Sequence, residues 1–99
     1  MYLVREIMYC KPGKVRPLVD KFIAMKKLME KSGMGGARIM TDVSAERYWT
    51  IVSEMEVESI DSFMAMDMSP EQTKEFEQLM KGYHDLVDHG RREIYKIEG

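Results

Sequence analysis

The spacing of the hydrophobic residues changes abruptly at Pro12-Gly13. From residue 2 to residue 10, apolar side chains occur on both of the two alternating faces that a β-strand has. After the Pro-Gly break they recur every three or four residues from Val15 to Met29, which is the period of one helical face. The pattern predicts a strand that turns directly into a helix, and a strand apolar on both faces needs cover on both.

Two more strands are predicted after the glycine-containing connection at residues 32–36. Residues 37–44 alternate between apolar and polar positions, and the polar turn "SAER" follows them. Residues 47–57, "RYWTIVSEMEV", are the richest segment in β-branched and aromatic side chains. These segments predict two strands joined by a short turn.

Capping residues indicate where two further helices begin. Ser59 is in a position to cap a short helix, and "SPEQ" at 69–72 has the form of a capping box with proline at the first helical position. Behind this box an apolar helical stripe continues to Val87, and Gly90 is interpreted as the residue that ends the segment. Residues 92–98 are predicted to form the last strand.

The predicted order β-α-β-β-α-β defines the fold class. It is the α+β, ferredoxin-like arrangement, in which a four-stranded antiparallel sheet carries its helices on one face. We expect one domain over residues 1–99. Because the strands are partly apolar on both faces, the face without helices also needs cover, and a second copy of the chain is the simplest cover. The sequence therefore predicts a homodimer packed sheet against sheet.

Composition limits the classes of partner that we expect. The net charge is −2 and 32% of the residues are charged, so the sequence has no excess of basic residues for binding nucleic acid. No apolar run approaches the length of a membrane span, and the first residues lack the basic-then-apolar pattern of a signal peptide. A single cysteine excludes an internal disulfide and fits a reducing compartment. We expect a cytoplasmic protein with no nucleic-acid or membrane partner.

Two stretches carry a family resemblance. "VREIMYCKPGKVRPLVDKF" at 4–22 resembles the opening of NIPSNAP-like proteins and of other members of the dimeric α+β barrel superfamily, which includes antibiotic-biosynthesis and haem-degrading monooxygenases. "RYWTIVSEMEVESIDSFMAM" at 47–66 resembles their third strand and the helix after it. The resemblance implies a barrel built across a dimer, with ligand pockets between each sheet and its own helices.

The resemblance also allows a test of the haem-degrading activity. Members with that activity resemble one another in an asparagine on the first strand, a tryptophan after the third strand and a histidine on the last helix. Ile7, Met66 and Phe76 stand at these positions here, and the sequence contains no asparagine. We therefore expect no haem and no other cofactor. Cofactor-independent oxygenation or isomerisation of an aromatic or polyketide-like substrate remains open, and the alternative is a non-catalytic dimeric module that binds a ligand or a partner.

Four residues are the candidate ligand contacts: Arg5, Tyr9, Trp49 and Tyr83. The aromatic members each combine a flat apolar body with one polar tip. The resemblance turns Arg5 and Tyr9 toward the helices, where Tyr83 would meet them in a pocket for a planar, phenolic or anionic small molecule. The alternative is that the rings are core residues and that Arg5 pairs with a carboxylate.

The segment "YHDLVDH" at 83–89 offers candidates for a metal site or a general base. On a helix it would place His84 near Asp88 and Asp85 near His89, four residues apart. Surface pairing near a helix end explains this spacing more simply, so we predict no metal. His84 remains a weak candidate for a catalytic base, because imidazole titrates near neutrality.

Three remaining features are interpreted structurally. Cys10 is expected to be a small buried hydrophobe. The methionines of "FMAMDM" at 63–68 are expected to fill irregular gaps in the core, the alternative being an adaptable apolar pocket. "SGMGG" at 32–36 lacks the lysine and hydroxyl residue of a phosphate-binding loop and is interpreted as a connection.

Overall fold

Four antiparallel strands form one sheet in the order β2-β3-β1-β4 in the computed structural model, which describes residues 1–31, 33, 36–64 and 69–99. The strands are β1 (Tyr2–Cys10), β2 (Arg38–Thr41), β3 (Thr50–Val57) and β4 (Val87–Lys96). The helices are α1 (Val15–Lys31), α2 (Ile60–Met64) and α3 (Pro70–Leu79), and a 3-10 turn spans Tyr83–Asp85. The order βαββαβ and the ferredoxin-like α+β fold predicted from the sequence are confirmed.

The core lies between the sheet and α1. Cys10 of β1 and Ile51 of β3 are buried against Leu18, Val19 and Phe22 of α1. In β1, the residues that point toward the helices are therefore the even-numbered ones that share a face with Cys10, because side chains alternate along a strand. The other side of the sheet, which none of the described helices covers, is called the open face below.

Local sequence explains where the helices begin. Gly13 adopts φ +78° after Pro12, a left-handed conformation that suits glycine, and α1 starts two residues later. Ser59 Oγ accepts from the Ser62 amide at 3.0 Å in front of α2. At α3 the Ser69 side chain and the Gln72 side chain cap each other's backbone amides, with Pro70 at the first position. Both predicted caps are confirmed.

The prediction for the C-terminal third is wrong in its boundaries. α3 ends at Leu79 rather than near Gly90, because Gly82 adopts φ +83° and turns the chain. Lys21 of α1 marks this end by donating from Nζ to the carbonyl oxygens of Leu79 at 3.0 Å and Lys81 at 2.7 Å. β4 then begins at Val87. This residue was predicted to continue the helical stripe but belongs to a strand.

Gly90 has a different role from the one inferred. It lies inside β4 opposite Met8 of β1, and a Cβ at this position would collide with the Met8 sulfur and sit 3.0 Å from the Ile7 carbonyl oxygen. A side chain here would displace the end of the Met8 side chain and would crowd the Ile7 carbonyl oxygen, so glycine allows the present packing of Met8 against β4. Gly90 therefore has a packing role within a strand and does not end a helix.

None of the helices within the described ranges is long and apolar enough to cross a membrane.

Candidate ligand-binding cleft on the open face

The open face carries a concave cleft of about 460 Å³. Its floor consists of side chains from β1 and β3, and the loop formed by residues 42–49 rises along one side. This volume lies in the range of about 300–1,000 Å³ that small-molecule sites occupy. The residues that matter below are Arg5, Ile7, Tyr9, Arg47, Val52 and Arg91.

The floor of the cleft is apolar. Ile7 and Val52 are direct cross-strand partners between β1 and β3, so their side chains stand next to each other on the open face. Ile7 is buried, and Val52 is half-buried. Because both are β-branched and lie on regular strands, they present a stiff surface on which a flat molecule can rest.

A row of paired charges borders the floor. Glu54 is buried, with its side chain only 8% exposed, and each of its oxygens accepts from a different arginine: Oε2 from Arg5 Nε at 2.6 Å and Oε1 from Arg38 Nη2 at 2.9 Å. Arg5 Nη1 also lies 3.6 Å from Glu93 Oε1. The hydrogen bond to Glu54 raises the pKa of the Arg5 guanidinium. The alternative expectation, that Arg5 pairs with a carboxylate, is confirmed.

Tyr9 lies at the end of the cleft opposite Arg5 and is surrounded by Arg47, Arg91 and His89. The Arg47 guanidinium carbon lies 4.5 Å from the centre of the Tyr9 ring, and that of Arg91 lies 5.9 Å away. The His89 ring centre is 4.8 Å from the same ring. These distances are those of cation–π and aromatic contacts, which hold the tyrosine and both arginines in one cluster.

The same cluster fixes the tautomer of His89. Arg47 Nη1 lies 3.0 Å from His89 Nε2, and a guanidinium can only donate, so Nε2 accepts. The ring proton of a neutral His89 therefore sits on Nδ1, which faces Asp88 Oδ2 at 3.4 Å. Arg47 Nη2 is 3.8 Å from the same carboxylate oxygen. Asp88 thus lies close to both of these neighbours of Tyr9.

Hydrogen bonds at the base of the loop hold Arg47 at the rim. The Thr50 amide donates to Asp42 Oδ1 at 2.9 Å, and the Thr50 hydroxyl donates to the Arg47 carbonyl oxygen at 2.8 Å. Trp49 adopts φ +62°, which is strained for a non-glycine residue and reverses the chain into β3. Residues 42–47 of the loop that precedes Trp49 line the cleft.

The structure separates the four predicted ligand contacts. Arg5 and Tyr9 both line the cleft on the open face. Tyr83 lies on the opposite side of the sheet, where its hydroxyl is 3.6 Å from Met8 Sδ. Trp49 lines a separate shallow depression with Val15 at the edge of the sheet. The expectation of one pocket between sheet and helices is wrong, because the face of β1 that meets the helices carries Cys10 and not Tyr9.

The residues of the predicted histidine motif do not act together. His84 is exposed and touches the Tyr83 ring edge at 5.2 Å between centres, on the helical side of the sheet. Asp88 belongs to β4, so the predicted helical pairing with His84 does not form. No group of three metal-binding side chains occurs within the ranges that the structure describes. The sequence interpretation missed Arg47 and Arg91, which the loop 42–49 and strand β4 bring to Tyr9.

Two further features remain on the helical side. Cys10 is buried, as predicted, and burial is the main cause that raises the pKa of its thiol. A depression of about 330 Å³ lies beside Tyr83 and the ion pair between Arg92 and Glu6. Burial, followed by the charge of Glu6, raises the pKa of the Tyr83 phenol.

The methionines of segment 63–68 were predicted to fill gaps in the core. Met64 is 71% exposed, so this prediction is wrong for Met64. Residues 65–68 lie outside the described residues, and the prediction is not tested there.

Comparison of the whole chain with solved structures gives matches throughout its length. A NIPSNAP-domain protein from Burkholderia xenovorans superposes with a TM-score of 0.72 at 11% identity, covering 100% of this chain and 96% of that one. A protein from Agrobacterium tumefaciens gives 0.72 at 14% identity, covering 97% and 92%. A NIPSNAP-like domain protein from B. xenovorans gives 0.65 at 14% identity, covering 99% and 85%.

No family model and no curated protein matches the sequence. The likeness is therefore one of structure at low sequence identity. The predicted resemblance is confirmed at that level, and the chain has the α+β fold of NIPSNAP-domain proteins.

Proposed function

We propose that this protein is a homodimeric small-molecule-binding protein whose ligand is a planar, largely apolar molecule held in the open-face cleft. The observation that carries the proposal is the cleft itself: about 460 Å³ above the apolar pair Ile7 and Val52, with Tyr9 and its arginines at one end. An apolar floor with a few convergent polar groups is the usual composition of a ligand site.

The floor favours an aromatic ligand. A flat ring that covers Ile7 and Val52 removes apolar surface from water, at about 25 cal/mol per Å². The polar groups stand at the ends of the cleft and not in the floor, so they would orient the ligand along the strands. The ligand class predicted from the sequence is retained, but the cleft that takes it lies on the open face.

A second copy is the cover that we propose for this face, with the cleft enclosed as a cavity between the two sheets. The charges across its middle are already paired within one chain, Arg5 and Arg38 with Glu54, so covering them leaves no charge unpaired. Apolar groups such as Tyr95 and Met40 remain partly exposed beside them. Four strands of up to ten residues offer at most roughly 650 Å² per copy. A standard interface uses about 800 Å² per partner, and the projecting loop 42–49 supplies the additional surface.

Catalysis is the second candidate function. A cofactor-independent monooxygenase or isomerase would use the same cleft, and the observation that favours it is the placement of the His89 ring 4.8 Å from the Tyr9 ring. Such a reaction needs a group that can take a proton beside a water-poor floor. Here Arg47 engages the accepting nitrogen of His89, so binding is the function that the geometry supports better.

Ligand-induced shifts of the melting temperature test the binding function. A panel of naphthols, naphthoquinones and aromatic acids is added to wild type, to Val52→Thr in the floor, and to the matched control Val57→Thr on the same strand outside the cleft. We expect at least one bicyclic compound to raise the melting temperature of wild type and of the control, and to do so less for Val52→Thr. If no compound stabilises wild type, or if both variants respond alike, the cleft is not the ligand site. Product analysis of the same mixtures under air reveals turnover.

A further inference from the structure

The arginines around the cleft differ in how firmly their charges are held. Arg5 and Arg38 share the buried carboxylate of Glu54 at 2.6 and 2.9 Å. Arg47 and Arg91 have longer ion pairs, 3.8 Å to Asp88 and 3.5 Å to Glu93, and their side chains are about half exposed. Arg47 also lies 3.0 Å from the exposed His89 ring nitrogen Nε2, which carries no full negative charge. Exposed ion pairs at such distances contribute little to stability. These two arginines can therefore exchange their contacts for a ligand anion.

Both arginines converge on the same point. Their guanidinium carbons lie 4.5 and 5.9 Å from the centre of the Tyr9 ring, and both side chains line the cleft. The ring contacts limit how far each guanidinium can move away. The two groups therefore present donors at one end of the apolar floor without first having to be brought together.

The carboxylates of the cleft mostly have partners. Glu54 is held by two arginines, Glu93 lies between Arg5 and Arg91, and Asp42 accepts from the Thr50 amide. Glu46 lies on the loop that lines the cleft. With this many acidic groups nearby, a single negative charge is easier to accommodate than the double charge of a phosphate.

We propose that Arg47 and Arg91 form an anion subsite and that the ligand is an aryl carboxylate, with its ring on the Ile7–Val52 floor. The carboxylate receives charge-assisted hydrogen bonds from the two guanidinium groups, which suit its planar shape. Arg5, the anchor expected from the sequence, is a brace for Glu54. This inference rests on the proposed binding function and adds the chemical class of the ligand.

The test compares naphthoate with naphthamide, which has nearly the same shape without the charge. Dissociation constants are measured by calorimetry for wild type, Arg47→Gln, Arg91→Gln and the control Arg16→Gln, whose side chain is exposed on α1. We expect wild type and the control to prefer the acid by about tenfold, the scale of one charged hydrogen bond. Each cleft variant should lose most of this preference, because its affinity for the acid should fall by much more than its affinity for the amide.

The possible outcomes are distinct. If wild type binds both compounds equally, the anion subsite is wrong and the binding function stands. If wild type binds neither, the binding function fails as well. If a cleft variant does not fold, salt decides: affinity for the acid should fall severalfold between low salt and about 0.5 M NaCl while affinity for the amide does not, and an unchanged ratio overturns the subsite.

Discussion

Arg5 Nε lies 2.6 Å from Glu54 Oε2, across the central strand pair of the sheet. The two residues are direct partners in the register of β1 and β3, and Glu54 is the more deeply buried of the two. This relationship assigns Arg5 to the structure of the open face. It also leaves the other end of the cleft, around Tyr9, as the place where a ligand meets an available charge.

The first prediction concerns the contribution of the Arg5–Glu54 pair to the free energy of unfolding. Arg5→Ala leaves the buried Glu54 with Arg38 alone, so we expect the free energy of unfolding to fall by about 1–3 kcal/mol. Urea denaturation at neutral pH measures the change. The double variant Arg5→Ala/Glu54→Gln also removes the buried carboxylate charge, so part of the lost free energy of unfolding should be recovered. If Arg5→Ala leaves stability unchanged and instead abolishes ligand binding, Arg5 is a ligand anchor after all.

The second prediction concerns Gly90. In Gly90→Ala the new methyl group meets the Met8 sulfur and the Ile7 carbonyl oxygen, and we expect a loss of about 1–3 kcal/mol from overpacking. The matched control is Gly99→Ala, whose methyl group meets nothing within 4 Å and should leave stability unchanged. Shortening the obstructing side chain in Gly90→Ala/Met8→Ala should make the effect of the glycine change smaller than it is alone. An additive double variant would contradict the packing role of Gly90.

Some parts of this structure could be predicted from the sequence and others could not. Element order and both caps follow from local patterns, since Ser69 and Gln72 signal a helix start wherever they occur at this spacing. Local patterns do not show which face of β1 meets the helices, because Ile7 and Met8 are both apolar and lie on opposite faces. The opposite charges of Arg5 and Glu54 would indicate that these residues share a face, but they can be recognised as partners only once the strand register is known.

The end of α3 was missed for a related reason. An apolar residue spaced like Val87 fits a helical stripe as well as the first position of a strand. Gly82, with φ +83°, was the earlier stop signal, but Gly90 received that role. The cluster of Arg47 and Arg91 at Tyr9 could not be predicted, because it joins a loop and a strand that are distant in sequence.

The third prediction concerns alkaline pH. Burial raises the pKa of the Cys10 thiol and of the Tyr83 phenol in the folded state. The folded chain therefore keeps these protons at pH values where the unfolded chain loses them, and stability falls as pH rises above the unfolded thiol pKa of about 8.5 and further above about 10. Below that range the two groups have no effect on the pH dependence.

Urea denaturation between about pH 7 and 10.5 measures this slope. Cys10→Ala should flatten the first part of the fall, even though the smaller side chain lowers stability at every pH. Tyr83→Phe removes the titrating hydroxyl and should flatten the part above about pH 10. If both variants keep the slope of wild type, other groups control the alkaline behaviour.

The fourth prediction concerns the proposed dimer. Sedimentation velocity at micromolar concentration should show wild type as a dimer. In Val52→Glu an unpaired charge is placed on the open face, and we expect dissociation or unfolding at a cost of several kcal/mol. The control Lys27→Glu, on the exposed side of α1, should remain dimeric. A stable, folded wild-type monomer at this concentration would contradict the proposed dimer.

The most direct measurement of the central claim is methyl NMR of the protein titrated with naphthoate. Ile7 and Val52 line the cleft on the open face, whereas Ile51 and Val19 lie in the core on the helical side. An aromatic ring resting on the floor shifts nearby methyl signals strongly. We expect saturable shifts of the Ile7 and Val52 signals with little change at Ile51 and Val19. Shifts confined to the helical side, or no shifts at any methyl group, would contradict it.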